Sequence, residues 1–173
     1  MVQPEPQGGA AFTEGHVEAD GFRIRYLEAG QGDPVVMLHG EGGLVLSKVH
    51  DELAKKYRVF AFEMPGFGQS PPVGATGRSP LPQSVKSLAQ TMARAAANLG
   101  LDKYALVGTS FGGRVALWQA LQSPQQVDLL VLIAPTAVLP EGYTIPSLAP
   151  DQVVGARHAS PRLLTHPENA PGG

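Results

Sequence analysis

The sequence has no cysteine among its 173 residues. Disulfides, thiolate metal ligands and a cysteine nucleophile are therefore excluded, so any catalysis must use oxygen or nitrogen groups. Charged residues are also few, and 13 Lys and Arg against 15 Asp and Glu give a formal net charge of −2. Because the cations are scattered along the chain, we expect neither a nucleic-acid partner nor a membrane partner.

Long apolar runs are missing as well. No stretch reaches the roughly 20 apolar residues of a membrane-spanning helix, and residues 1–9 lack the basic start and apolar run of a secretion signal. We therefore expect a cytoplasmic protein. Histidines and carboxylates nowhere have metal-ligand spacing, and Val45 stands where a G-x-G-x-x-G motif would need its last glycine. We expect no metal and no other cofactor, and a small molecule as the partner.

The order of apolar segments predicts an α/β fold. Residues 1–15 are rich in Gly, Pro, Gln and Glu, and we expect a flexible N-terminal arm there. Two partly alternating runs, residues 16–18 and 22–27, flank a turn at Asp20 and predict a β-hairpin. Four short continuous apolar runs follow, typical of parallel strands buried on both faces: Val35–Leu38, Val59–Phe62, Tyr104–Val107 and Leu129–Ile133.

Helical patterns separate these runs. Apolar residues recur at spacings of three and four over 82–99, and Gly100 follows as a stop. Weaker patterns predict helices over 44–57 and 111–121. This alternation predicts a mostly parallel, doubly wound sheet of six strands in a core that spans residues 16–134.

The pattern G-x-S-x-G occurs between a predicted strand and a predicted helix, as Gly108-Thr-Ser110-Phe-Gly112. A serine on so sharp a turn needs neighbours without Cβ atoms, and Gly108 and Gly112 take the positions two residues away on either side. The turn holds the Ser110 hydroxyl over the N-terminus of the next helix, where free N–H groups favour a developing oxyanion. Ser110 is therefore the candidate nucleophile. The alternative is an ordinary serine that caps the helix.

A His39-Gly40 pair ends the first of the predicted parallel strands. In such a layout the backbone N–H of the next residue, Glu41, can join that of Phe111 in a two-donor oxyanion hole, with Gly42 as the alternative to Glu41. We interpret His39 as a residue that braces the loop by hydrogen bonds and takes no part in catalysis.

These two loops, together with the segment Glu63-Met-Pro-Gly-Phe-Gly-Gln-Ser, resemble the α/β-hydrolase superfamily over about residues 20–140. In that superfamily a His-Gly loop, a D-x-P-G-x-G-x-S loop and a nucleophile elbow follow successive strands. Glu63 stands where the superfamily commonly has Asp, which keeps the charge but alters the loop geometry. The resemblance implies an α/β-hydrolase fold and a cofactor-independent serine hydrolase that attacks an ester-like carbonyl with Ser110.

The resemblance also implies that the chain is the N-terminal portion of such an enzyme. The superfamily's acid and histidine normally follow the seventh and eighth strands. Residues 135–173 hold seven prolines and no strand-like run, and they resemble the start of a cap or lid, so His158 and His166 are interpreted as cap residues. We expect a sheet truncated after about its sixth strand, and little or no activity from this chain alone because the base is missing.

Two expectations concern partners and function. Stopping at the sixth strand would leave Leu129–Ile133 as an exposed apolar edge. A complementing C-terminal segment or a second copy of the chain would cover it. The alternative to an enzyme is a non-catalytic homologue that binds a small ligand or a partner chain through the same surfaces.

Overall fold

The computed structural model describes residues 10–70 and 84–136. The described residues form a sheet and its helices in the order β1 (Thr13–Ala19), β2 (Phe22–Ala29), β3 (Pro34–Leu38), α1 (Lys48–Ala54), β4 (Arg58–Phe62), α2 (Val85–Asn98), β5 (Tyr104–Thr109), α3 (Phe111–Gln122) and β6 (Val127–Ile133). The chain divides into two units, Met1–Val138 and Leu139–Gly173, and all described residues belong to the first. The predicted cap start therefore lies outside the described residues, apart from its first two positions.

The sheet is mostly parallel, as predicted. Its strand order is β1-β2-β4-β3-β5-β6. β1 and β2 form the predicted hairpin and β2 pairs antiparallel with β4, whereas β3 pairs parallel with β4 and with β5, and β5 pairs parallel with β6. Parallel neighbours need a crossover connection. α1 joins β3 to β4, and α2 joins β4 to β5. Because β3 pairs with both β4 and β5, it lies inside the sheet between them.

Helices cover both faces of the sheet, because successive side chains of a strand point to opposite faces. On one face α1 packs on a small cluster that includes Val35, Met37, Val59 and Val107. On the other face α2 and α3 pack on a larger cluster that includes Val36, Leu38, Phe60 and Leu106. The doubly wound α/β architecture predicted from the apolar runs is confirmed.

Serines set where two of the helices begin. The helix predicted over 44–57 is wrong at its start, because α1 begins only at Lys48, where the N–H of Ser47 donates to Nδ1 of His50 at 3.0 Å. α2 begins after Ser84, whose Oγ accepts the N–H of Ser87 at 3.1 Å. Such caps satisfy amides that have no partner inside the helix. Within residues 10–70 and 84–136, no helix has the length and apolar character to cross a bilayer.

Two strands begin earlier than predicted. β1 begins at Thr13, which pairs with Glu28, so residues 13–15 belong to the sheet and not to the predicted arm. β6 begins at Val127, two residues before the predicted apolar run. Residues 1–9 lie outside the described residues, and a flexible arm there stays a prediction.

β6 forms one end of the sheet, and its apolar side chains are exposed as expected. Leu129, Val131 and Ile133 lie on the same face as α1 and are 58%, 38% and 44% exposed. Their neighbours on β5, Ala105 and Val107, are covered far better. Among the described residues, the hydrophobic core on this face of the sheet therefore ends at β5, and β6 is left uncovered.

Candidate active site

Ser110 lies on the turn between β5 and α3, at φ +52° and ψ −115°. A positive φ is unusual for a residue with a side chain, and a conformation of this kind costs about 1–3 kcal/mol. Backbone hydrogen bonds hold it in place. The N–H of Ser110 donates to the carbonyl of Ile133 at 2.9 Å, and its own carbonyl accepts from Gly113 and Thr136, each at 3.0 Å. The end of β6 thus anchors the turn on both sides of Ser110.

The two glycines flanking Ser110 lie where a side chain has no room. A Cβ atom on Gly108 would lie 2.5 Å from the carbonyl oxygen of Gly112, and one on Gly112 would lie 2.5 Å from the carbonyl oxygen of Leu38. A third glycine, Gly113, packs against Pro135 in the same way, with a Cβ placed 2.9 Å from Pro135 Cβ. Sequence reasoning did not identify Gly113, although the Gly-Gly pair was a usable signal.

The loop after β3 lies against this turn. A Cβ atom on Gly40 would be 3.2 Å from Ser110 Cβ and 3.8 Å from Ser110 Oγ. Gly43 donates its N–H to the carbonyl of Gly40 at 3.1 Å, which makes a β-turn with Glu41 and Gly42 at its centre. Neither central amide donates to another described residue. Neither N–H group is therefore engaged by a described residue, and the turn that carries them begins at Gly40, beside Ser110.

Phe111 is the first residue of α3, so its backbone N–H has no acceptor within the helix. Among the described residues, the Ser110 hydroxyl makes no hydrogen bond to this first turn. The geometry therefore does not support the alternative in which Ser110 is an ordinary capping serine. The helix dipole adds partial positive charge at the same place.

His39 braces the loops, as predicted. Nε2 of His39 accepts the N–H of Met64 at 3.0 Å, so the proton lies on Nδ1, which donates to the carbonyl of Gly40 at 2.7 Å. The side chain is buried, and its ring packs edge-on against Phe67 at a centroid distance of 4.8 Å. Burial lowers the pKa of His39, only partly offset by the Gly40 carbonyl and the Glu63 charge. The ring is thus held neutral with both nitrogens occupied.

The loop after β4 is organised by Glu63. One oxygen of its buried carboxylate accepts the N–H of Gln69 at 2.7 Å, and the other lies 3.4 Å from Nη1 of Arg25. Arg25 also donates its backbone N–H to Oγ of Ser70 at 2.9 Å. Gly68, at φ +47°, lies directly against the carboxylate, where a Cβ atom would collide with it. The absence of a side chain at Gly68 makes room for the longer Glu63.

Two aromatic rings connect the loop after β4 with the turn at Ser110. The ring of Phe67 lies 6.2 Å from that of Phe111, and the guanidinium carbon of Arg114 lies 5.4 Å from the Phe111 ring centroid. A pocket of about 200 Å³ has Gly40 in its lining. It is lined by the ends of β3 and β5, the turn and the approach to α1: Met37, Leu38, His39, Gly40, Gly43, Leu44, Val45, Ser47, His50 and Thr109.

Among the described residues, no histidine or carboxylate that follows Ser110 in the sequence lies beside it. Asp128 lies at the start of β6, where its exposed carboxylate is 3.4 Å from Nζ of Lys103. It therefore lies at the end of the sheet where β5 and β6 begin, whereas Ser110 lies at the end where they finish. His158, His166 and the carboxylates of residues 141, 151 and 168 lie outside the described residues. Within residues 10–70 and 84–136, no group of His, Asp or Glu could hold a metal ion.

Known proteins are similar to this chain in sequence and in fold. The sequence profile described as alpha/beta hydrolase fold matches residues 33–156. The acetyltransferase component of the acetoin cleaving system of Cupriavidus necator is 34% identical over 148 residues, which is 81% of this chain and 37% of that protein. The 2-hydroxy-6-oxo-6-(2'-aminophenyl)hexa-2,4-dienoic acid hydrolase of Metapseudomonas resinovorans is 31% identical over 138 residues, 76% of this chain and 46% of that protein.

A solved structure is similar as well. A bacterial membrane phospholipase A superposes with a TM-score of 0.64 at 30% identity, over 77% of this chain and 43% of that one. The chain therefore spans less than half the length of each of these three proteins. The matched profile covers most of the chain, including the turn at Ser110 and the loops after β3 and β4. The chain belongs to the alpha/beta hydrolase fold family.

Proposed function

We propose that this domain serves a cofactor-independent serine hydrolase in which Ser110 is the nucleophile. The observation that supports this most strongly is the strained turn at φ +52°, which presents the Ser110 hydroxyl beside the N-terminus of α3 and the Gly40 turn. A strained backbone that carries a hydroxyl with no hydrogen bond to the described residues has no evident structural purpose, since this hydroxyl does not cap the helix. Strain of this kind is commonly found where chemistry is done.

In the proposed reaction, Oγ of Ser110 forms a bond to the carbonyl carbon of an ester-like substrate while its proton passes to a base. The carbonyl oxygen becomes an oxyanion, which the backbone N–H groups of Phe111 and Glu41 stabilise. Collapse of this intermediate breaks the bond to the leaving group, which takes up the proton. Water then hydrolyses the acyl group from Ser110. Gly108 and Gly112 serve by allowing the backbone to turn.

The proposal assigns the base and its acid to residues outside the described part of the chain. A complementing C-terminal segment is the source we favour, and His158 and His166 are assigned to the cap. Two similar proteins, named as a dienoic acid hydrolase and a phospholipase A, support a hydrolytic reaction on a small molecule. We propose an ester-like or related carbonyl compound as the substrate class.

One observation favours a non-catalytic alternative. Among the described residues, no side chain accepts the proton of Ser110, and both ring nitrogens of the nearby His39 are already bonded. A homologue that binds a small ligand or partner chain without turning it over would have the same features. The two functions differ in whether Ser110 reacts.

Covalent labelling with a fluorophosphonate separates these functions, because the reagent modifies activated serines. With a complementing C-terminal segment present, the expected result is one adduct on the peptide that contains Ser110, absent in Ser110→Ala. Ser47→Ala is the matched control, since Ser47 is exposed and its hydroxyl lies 3.0 Å from a histidine nitrogen. Adduct formation that is the same in wild type and Ser110→Ala, or no adduct even with a complementing C-terminal segment present, would favour the non-catalytic homologue.

A further inference from the structure

Arg114 lies one helical turn beyond Ser110 on α3. Its backbone N–H is within 3.3 Å of the Ser110 carbonyl. Long side chains on a helix lean toward its N-terminus, and the guanidinium of Arg114 accordingly stacks over the ring of Phe111, 5.4 Å from its centroid. The cation therefore lies beside the residue that follows the candidate nucleophile.

This guanidinium has no carboxylate partner among the described residues, unlike three other arginines. Arg25, Arg58 and Arg94 each pair with a carboxylate, on Glu14 and Glu63, Glu28, and Asp20 respectively. Arg114 has no such pair among the described residues, and its Nε is buried without a hydrogen-bond acceptor. A desolvated N–H group of a cation is costly to leave unpaired. A ligand that brought an acceptor would remove that cost.

The helices around Arg114 carry charge of one sign. α2 and α3 contain three cations, Lys86, Arg94 and Arg114, and neither contains Asp or Glu. Arg94 is neutralised by Asp20, whereas Nζ of Lys86 lies 4.3 Å from the ring centroid of Trp118, one turn beyond Arg114 on α3. Two cations, each stacked on an aromatic ring, thus follow one side of α3 from the Ser110 turn.

We propose that Arg114 is a specificity-determining residue that binds a carboxylate on the substrate, so that the hydrolase takes acids whose scissile carbonyl lies a short distance from a free carboxylate. The hydrolysis of such acids rests on the proposed function, whereas the binding of a carboxylate by Arg114 does not. A guanidinium stacked on a ring keeps its planar fork in one orientation, which suits two parallel hydrogen bonds to a carboxylate. Lys86 adds a second, more distant positive charge.

The binding test uses sodium glutarate as the probe and dimethyl glutarate as its uncharged counterpart. In Ser110→Ala protein, the NMR signal of the Arg114 Nε–H is expected to shift and saturate with glutarate and to stay in place with the diester. Arg114→Gln is expected to weaken glutarate binding about tenfold or more, and Arg114→Lys to weaken it less. Lys103→Gln is the control, because it removes a charge at the start of β5, away from Ser110. It should bind glutarate as tightly as the protein without this substitution.

A reactivity test links the site to Ser110. Two fluorophosphonates that differ only in a terminal carboxylate or its methyl ester are compared by their labelling rates. Wild type should prefer the acid, and Arg114→Gln should bring the rate ratio close to one. If no serine reacts but glutarate still binds at Arg114, the proposed function fails and the carboxylate site stands.

Three outcomes would overturn the proposal for Arg114. The first is glutarate affinity that is equal in wild type and Arg114→Gln, both shown by thermal unfolding to be folded. The second is a shift of the Nε–H signal by inorganic phosphate and none by glutarate. The third is a labelling ratio that does not change in Arg114→Gln.

Discussion

The backbone N–H of Met64 donates to Nε2 of His39 at 3.0 Å, and this one bond ties the loop after β4 to the loop after β3. The other ring nitrogen donates to the carbonyl of Gly40, the first residue of the turn that faces Ser110. The orientation of the candidate oxyanion donor at Glu41 thus depends on a neutral imidazole.

Acid should therefore weaken the fold through His39. Burial lowers the pKa of His39 below its ordinary value of 6.5, so the folded state favours the neutral ring. The stabilising contribution is present above pH 6.5 and is lost as the pH falls through the lower, folded-state pKa. Urea unfolding at pH 5 to 8 should show stability falling on the acid side. His39→Gln, which cannot titrate, should flatten that slope; an unchanged slope would contradict the assignment. Burial also lowers the pKa of His50, which leaves some acid sensitivity in the variant.

Gly112→Ala should destabilise the protein by about 1–3 kcal/mol, because a Cβ atom there meets the carbonyl of Leu38 and the backbone must move. Chemical denaturation measures the change. Gly42→Ala is the control, since a Cβ at Gly42 meets no atom within 4 Å, and it should change stability by no more than about 0.5 kcal/mol. Equal effects of the two substitutions would show that α3 does not pack as closely as described.

Ser110→Gly should be more stable than Ser110→Ala by about 1 kcal/mol, because only glycine relieves the strain of a positive φ. Both variants lack the hydroxyl, so both should fail to react with a fluorophosphonate. Ser47 has an extended backbone at φ −137°, and Ser47→Gly should bring no gain over Ser47→Ala from relief of strain. Thermal unfolding of the four proteins checks the prediction. A lower stability for Ser110→Gly would argue against a strained turn.

Glu63→Ala should destabilise the protein by about 2–3 kcal/mol, since it removes a buried carboxylate and leaves the amide of Gln69 and Nη1 of Arg25 without their acceptor. Glu52→Ala removes a carboxylate that pairs with Lys55 where both side chains are more than half exposed, and it should cost less than about 0.5 kcal/mol. Urea titration of the two variants gives the comparison. Similar losses in both would show that the Glu63 carboxylate does not organise its loop.

The exposed face of β6 should lead to self-association of this chain. Leu129, Val131 and Ile133 are more than a third exposed, and edge strands with apolar faces pair readily with other chains. Val131→Lys should shift the protein toward monomer, because it places a charge within the apolar face. Sedimentation velocity across a concentration series measures this. A chain that is monomeric at all concentrations would contradict the prediction.

The features that sequence predicted well are local. The strand, the two glycines and the helix around Ser110 all lie within residues 104–122, so spacing alone indicates the turn. Pairings between distant residues carried no such signal: Glu63 bonds Arg25, 38 positions earlier, and only the folded sheet brings them together. The start of α1 was missed because it depends on a bond between Ser47 and His50 and not on apolar periodicity.

Ser110 has both of its backbone hydrogen-bonding groups engaged by Ile133, the last residue of β6, and by Thr136, three residues further on. The strained turn is therefore completed by a strand that lies more than 20 positions further along the chain. During synthesis, these two hydrogen bonds cannot form until residues 133 and 136 have left the ribosome. We therefore expect Ser110 of a nascent chain to have a relaxed backbone first. Its strained conformation would form only when β6 pairs with β5.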